Sequence, residues 1–345
     1  MSNNNVKLVF RVILFSATAI SLFFVPWILV KAWILPLPDS VQAQVDDTID
    51  YGFEGVIVYV DQAGQAPAFY TAGVDNRDTN TPVNPHSLFK IASISKLYVA
   101  VSIAKLANNK QLSIDDKMAD YFPELVGRLE YADEISIRML VQHRSGIPNF
   151  TNNPAYWENE QENGARALDF ALELPVSFKP DKGYEYSNTN YLLLRQIIKK
   201  VTGYSHHQYI KEQILLPLNL TNTYSSIHEV NLDDVMSGYY VGISEDFKEN
   251  DNGMLASAQD VGTFLRALND GSVFNEGEQE IYDVLYVYEH GGLVPGYQSL
   301  AEYHKDIDTV VVQFFNTTDF TGYHWNLSEI FINRIVKILK NEAKS

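Results

Sequence analysis

The sequence predicts an α/β chain of the α+β type: one sheet built from both chain ends, flanked by helices, with a mainly helical region inserted in the middle. Three observations carry this. Runs rich in β-branched residues lie near both ends, VIVYV at 56–60 and TVVVQFF at 309–315, and such runs favour strands. Between them, ARALDFALEL (165–174) and NYLLLRQIIKKVTG (190–203) repeat apolar residues at helical spacing. Ahead of both, VILFSATAISLFFVPWILV (12–30) carries no charge, and as a helix it would be roughly 28 Å long, close to the thickness of bilayer hydrocarbon.

That first segment reads as one transmembrane helix. Lys7 and Arg11 precede it, Trp27 and Trp33 suit the interface, and Pro26 is tolerable in lipid. Residues 1–40 are therefore expected to be a cytoplasmic stub, an anchor spanning about 12–30 and a linker, with the lipid bilayer as partner and the rest of the chain extracytoplasmic. The alternative is secretion after cleavage near Val41-Gln42-Ala43, but the apolar run exceeds the roughly 7 to 15 residues of a signal core. PLPDS (36–40) ends the segment.

A folded domain is expected over 45–345, its α/β part over about 50–104 and 255–345 and its helical insert over about 105–254. VIVYV opens it, with AFYTAGV (68–74) as its partner strand. A buried helix follows from Ser93 to Ala107, apolar around most of its circumference. The helix at 190–203 stops at Gly203. After 280, IYDVLYVYEH, YQSLAEY and TVVVQFF read as strands, and LSEIFINRIVKILK closes the chain as an amphipathic helix.

Composition removes several functions. The 345 residues are 46% hydrophobic and 20% charged, as a globular chain with a full core should be. A net charge of -17 repels a phosphate backbone, so nucleic acid is not an expected partner. The absence of cysteine excludes disulfides, thiolate nucleophiles and cysteine-based zinc sites. His206 and His207 are adjacent, which is poor geometry for one metal, and His228-Glu229 has no second histidine at metalloprotease spacing. No metal or cofactor is expected. Gly-x-Ser-x-Gly, the signature of α/β-hydrolases, does not occur.

The chemistry points to FKIASISKLYVA (89–100). Serine and lysine three residues apart share a helix face, and a buried lysine has a lowered pKa that suits it to act as a base. The spacing occurs three times, at Ser87/Lys90, Ser93/Lys96 and Ser102/Lys105. Ser87 lies in a loop after Pro85, and Ser102 lies inside the helix, where a hydroxyl bonds back to the preceding turn. Ser93 stands where the apolar run begins, at a helix start that favours an oxyanion; the bland reading is a helix cap. Two more motifs lie downstream. Tyr186-Ser187-Asn188 just precedes a helix, where capping is its bland reading. His290-Gly291-Gly292 has paired glycines that let a ligand or backbone approach closely, with a plain turn as its rival.

In this order, Ser-x-x-Lys, Tyr-x-Asn and His-x-Gly, the sequence resembles the serine β-lactamase and penicillin-binding protein superfamily. It is most similar to the branch holding class C β-lactamases, D-alanyl-D-alanine carboxypeptidases and related esterases. LVQHRSGIPNF, GMLASAQDVGTFLRAL and VVVQFFNTTD carry the likeness over about residues 50 to 340. The resemblance implies a β-lactamase/transpeptidase-like antiparallel sheet and a serine hydrolase working through an acyl-enzyme. It implies that Ser93 is acylated, that Lys96 and Tyr186 share the proton transfers, with either as base, and that Asn188 bonds the substrate amide. It further implies an oxyanion hole at the N–H groups of Ser93 and Leu293, with His290 in place of the family's lysine, able to orient Tyr186 or meet an anion. His143 would pack a loop near the site. Many members carry hydroxyls where this chain has Gly291 and Leu293, and these bind a substrate carboxylate. Their loss leaves such a group poorly paired. The expected substrate is thus an ester, amide or peptide, including D-amino-acid or cell-wall peptide. The alternatives are a D-alanyl-D-alanine carboxypeptidase or weak class C-like β-lactamase, and a penicillin-binding or sensor protein without turnover.

Overall fold

A computed structural model describes residues 3–159, 164–251 and 253–344 of the chain. Its main sheet has six antiparallel strands in the order Thr81–Pro82, Ala68–Asn76, Gly55–Gln62, Thr309–Phe315, Tyr297–His304, His290–Val294. The two chain ends meet at its centre, where Val58 faces Gln313 and Tyr59 faces Val312. This is why both central strands read as unbroken apolar runs: each is covered on both faces. Side chains alternate along a strand. Ile57 and Tyr59 enter the larger core, while Val56, Val58 and Val60 enter a second core beneath the C-terminal helix His324–Glu342.

The larger core holds the helix Ser95–Asn108, buried from Ser95 to Leu106. Against it pack the helices Asn188–Thr202 and Glu278–Asp283. Residues between the sheet halves are mostly short helices, 3-10 turns and loops. A three-stranded sheet inside this region pairs Phe89–Lys90 with Leu255–Ala256 and Leu255–Ala256 with Thr223–Tyr224. It fixes the chain immediately before Ser93.

Two expectations fail here. IYDVLYVYEH is not a strand until its last residue: Glu278–Asp283 is helical and the sheet resumes only at His290. Tyr282 and Leu285 are buried while Val284 and Val287 are exposed, a three-residue spacing that suits a helical turn. Its β-branched and aromatic content misled, because strand preference follows the packing surface more than the residue type.

The single transmembrane helix is also broken. Asn3–Leu22 and Trp27–Ile34 are separate helices bent by 78°, so no single described helix is long and apolar enough to cross a membrane, although the pair together has the length and composition. The break falls just before Pro26, whose ring and missing N–H oppose helix continuation. The second half belongs to the folded body. Ala32 is buried, Leu29 packs on the second core, and Arg334 of the C-terminal helix donates to the carbonyls of Leu35 and Pro36 at 2.7 Å each.

Candidate active site

Ser93 sits on a 3-10 turn, Ala92–Ile94, that runs into the buried helix at Ser95. Ala92 holds φ at 48°, a left-handed conformation that costs a residue with a Cβ and that gathers at functional sites. The turn is clamped on two sides. Ile91 N–H donates to the Met254 carbonyl at 3.1 Å, and the edge strand presses on Ile91 through Gly292. A Cβ on Gly292 would lie 2.3 Å from the Ile91 carbonyl oxygen, so this position requires glycine.

Ser93 does not cap its helix; Ile94 takes the N-cap place without a side-chain bond. Its hydroxyl instead meets two groups, Lys96 Nζ at 3.0 Å and the Tyr186 hydroxyl, which donates to Ser93 Oγ at 2.6 Å. Lys96 Nζ also donates to Asn188 Oδ1 at 2.8 Å and lies over the rings of Tyr186 and Tyr191. Burial holds the Lys96 amine well below its usual pKa, and the nearby Arg195 guanidinium lowers it further. Burial pushes the Tyr186 phenol up to about 12, against the opposing pull of its bond to Ser93. The set is thus an amine whose charged form is disfavoured, a neutral phenol and a hydroxyl within one hydrogen-bonded group.

The other two serine–lysine pairs do not pair. Ser87 donates to Asp75, while Lys90 reaches the carbonyls of Phe247 and Asn250. Ser102 bonds back to the Tyr98 carbonyl at 2.8 Å, and Lys105 forms a buried ion pair with Glu278 at 2.7 Å.

The Tyr186 loop is held from behind by the loop 143–149. Ser187 N–H donates to His143 Nδ1 at 3.1 Å, and Asn188 N–H donates to Asn149 Oδ1 at 3.2 Å. The His143 ring lies 4.5 Å from that of Tyr186 and packs the loop. Burial holds its pKa at about 3, so its Nδ1 remains an acceptor. Asn188 starts its helix without capping it, and so its side chain is available to Lys96.

His290 lies elsewhere than bonded to Tyr186. Their ring centroids are 6.3 Å apart, and His290 Nε2 pairs with the Tyr286 hydroxyl at 2.9 Å while Nδ1 meets the Gly291 carbonyl. Burial lowers its pKa to about 4, so it is a neutral ring. Gly291 faces Trp325: a Cβ there would lie 2.5 Å from its Cη2. Leu293 lines the same cavity as Ser93, Lys96 and Asn188, a space of about 480 Å³. Phe150, Tyr156, Trp157 and Tyr191 also line it. Tyr186 and His290 line a second hollow of about 320 Å³.

Sequence reasoning missed Tyr286, Trp325 and Arg195. Nothing in the linear motifs marks the first two. Arg195 had a signal, since it stands seven residues after Asn188 on the same helix face.

The model of the beta-lactamase family matches residues 37–328. The chain is 29% identical over 175 residues to a penicillin-binding protein of Bacillus subtilis (strain 168), covering 50% of this chain and 38% of that protein. It is 27% identical over 243 residues to Protein flp of Staphylococcus aureus (strain COL), covering 61% and 48%. These matches span less than half the length of both relatives. Among solved structures, the D-amino acid amidase from Ochrobactrum anthropi SV3 aligns with a TM-score of 0.77 over 88% of this chain and 98% of its own, at 21% identity. The penicillin binding protein from Bacillus halodurans aligns with a TM-score of 0.71 over 86% and 98%, at 17% identity. At such identities the structures speak for the fold alone.

Proposed function

The chain belongs to the beta-lactamase family, and on that premise we propose that it is an extracytoplasmic serine hydrolase, membrane-anchored, that works through a Ser93 acyl-enzyme on an ester, amide or peptide. The observation that carries this reading is the contact of Ser93 Oγ with both Lys96 Nζ and the Tyr186 hydroxyl, at 3.0 and 2.6 Å. The neutral amine is the base for acylation. Ser93 Oγ attacks the carbonyl carbon and its proton passes to Lys96, while the Tyr186 phenol gives its proton to the leaving group. The Lys96 ammonium then returns that proton to the Tyr186 phenolate, and in deacylation water attacks the acyl carbonyl, one of its protons passing to Lys96 and from there to the departing Ser93 Oγ. Asn188, held by Lys96, presents its amide N–H groups to the substrate. The N–H groups of Ser93 and Leu293 face the developing oxyanion.

The aromatic lining of the cavity suits an apolar or aromatic acyl group. A carboxylate next to the scissile bond is disfavoured, since Gly291 offers no hydroxyl and Trp325 fills the space behind it. That argues against efficient β-lactam hydrolysis.

Intact-mass spectrometry after mixing with p-nitrophenyl esters, amino-acid amides and a labelled penicillin tests the reading. A transient adduct with product release is expected in the natural protein and no adduct in Ser93→Ala. An adduct that persists in Ser93→Ala would falsify the choice of nucleophile. A permanent adduct without product would instead mark a binding or sensing protein.

The anchor rests on the bent pair Asn3–Leu22 and Trp27–Ile34, which together have the length and composition of a span, the first presenting exposed apolar Leu8, Phe10, Ile13, Leu14 and Phe15. It enters the bilayer with its basic end inside. Recovery of the full chain in the alkaline-carbonate supernatant of isolated membranes would refute this.

A further inference from the structure

Among the described residues, Arg195 is a cation without a carboxylate partner. It lies on the wall of the cavity that opens on Ser93, on the helix Asn188–Thr202. Its one hydrogen bond among the described residues runs from Nη2 to Ser95 Oγ at 3.3 Å, and its buried Nε has no partner. No described carboxylate lies within ion-pair distance of it. Asp251, also on the cavity wall, is bonded by Ser226 at 3.0 Å and faces His228 at 3.9 Å. The basic rings nearest in charge, His206 and His207, add no compensation. In a molecule of net charge -17, a half-buried guanidinium with a buried, unpartnered Nε and no described carboxylate beside it is a standing cost.

Position gives that cost a use. Asn188, Tyr191 and Arg195 recur along one helix face, all lining the cavity. Seven residues separate the first from the last, a rise of about 10 Å. A guanidinium presents a planar fork that matches a carboxylate. We propose that Arg195 is the anion-recognition residue of this cavity, taking a carboxylate carried by the acyl part of the substrate, remote from the bond that Ser93 attacks. The preferred substrates are therefore esters or amides of acidic acyl groups, such as a peptide whose acyl segment carries an acidic side chain away from the scissile bond. This rests on the serine hydrolase reading and adds the substrate class to it.

The test compares p-nitrophenyl monoesters of succinate, glutarate and adipate with neutral p-nitrophenyl esters of equal chain length, using the full chain. The readout is the ratio of kcat/KM for each anionic ester over its neutral partner. Arg195→Gln is expected to lower the best ratio roughly 10- to 100-fold, the worth of a hydrogen bond to a charged group, and Arg195→Lys to restore part of it. A ratio unchanged in Arg195→Gln overturns the proposal, as does an equal fall for both esters, which marks a structural or Lys96-tuning role. Calorimetric binding of glutarate to Ser93→Ala protein, with and without Arg195→Gln, decides the matter independently of turnover. Arg195-dependent binding supports the proposal even where no ester is cleaved, and binding indifferent to Arg195 overturns it. Absence of any Ser93-dependent ester turnover counts against the hydrolase reading instead.

Discussion

At the scale of the residue, the site is a matter of which groups are kept neutral. Burial, and then Arg195, hold the Lys96 amine well below its usual pKa and disfavour its charge, and Tyr186 keeps its proton because burial raises its pKa to about 12. A base of lowered pKa is competent only above that pKa, so the acid limb of the rate profile follows Lys96. The expected profile of kcat/KM rises with pH through that limb and stays level until Tyr186 ionises. Lys96→Arg, which cannot lose its charge, should fall at least 100-fold at every pH, within the range attributed to general-base catalysis. A profile that keeps its acid limb in Lys96→Arg would assign the limb to another group. Which of the three serine–lysine spacings brings hydroxyl and amine into contact was legible because the surroundings of each differ in sequence: a loop after Pro85, a helix start and a helix interior. Arg195 was not read, because a lysine or arginine on an amphipathic helix is ordinarily solvated. Its place seven residues after Asn188 hinted at a shared face, but only the fold shows that this face lines a cavity.

At the scale of the element, the edge strand His290–Val294 and the turn Ala92–Ile94 form one mechanical unit. Gly292 lets the strand approach until its Cα touches the carbonyl that precedes the strained Ala92. Gly292→Ala must push strand and turn apart, since the new Cβ would meet backbone rather than a flexible side chain. A displacement near 1 Å at a nucleophile costs about 100-fold. We expect that loss in kcat/KM, measured beside an unchanged far-ultraviolet dichroism spectrum. Full activity in Gly292→Ala would show that the nucleophile is not set by this contact. The paired glycines announced a close approach, and that much was readable. What approaches was not: Gly292 meets Ile91, but Gly291 meets Trp325 from the C-terminal helix. The two helices at the amino end were misread for the opposite reason. Their composition is continuous across Pro26, and composition alone does not register a bend.

At the scale of the whole molecule, four histidines are carried as neutral rings. Burial sets His143 at about 3, His206 at about 2, and His207 and His290 at about 4, all below the ordinary value of 6.5. The unfolded chain protonates each near 6.5, so between about 6.5 and 4 it binds more protons than the folded one. Stability therefore rises with pH across that window and is lost as pH falls. Thermal melts from pH 7 to pH 4 should show a steady fall in Tm, shallower in His143→Gln if that variant folds. A Tm that is flat over this range would mean the rings are solvated or paired in solution.

The docking of Trp27–Ile34 onto the C-terminal helix bears on how the molecule would stand at a surface. Arg334 grips the backbone of residues 35 and 36, and the second core receives Leu29 and Ala32. A span ending in that helix is therefore not a string but a stiff neck, joined to the head without slack and leaving it at 78° to the preceding helix. In the anchored form proposed above, the mouth of the cavity has a set height and heading over the lipid. Such a molecule works on what comes within arm's reach of the membrane, and lengthening the chain at Phe23-Phe24, between the two helices, would change which substrates it meets while leaving its chemistry intact.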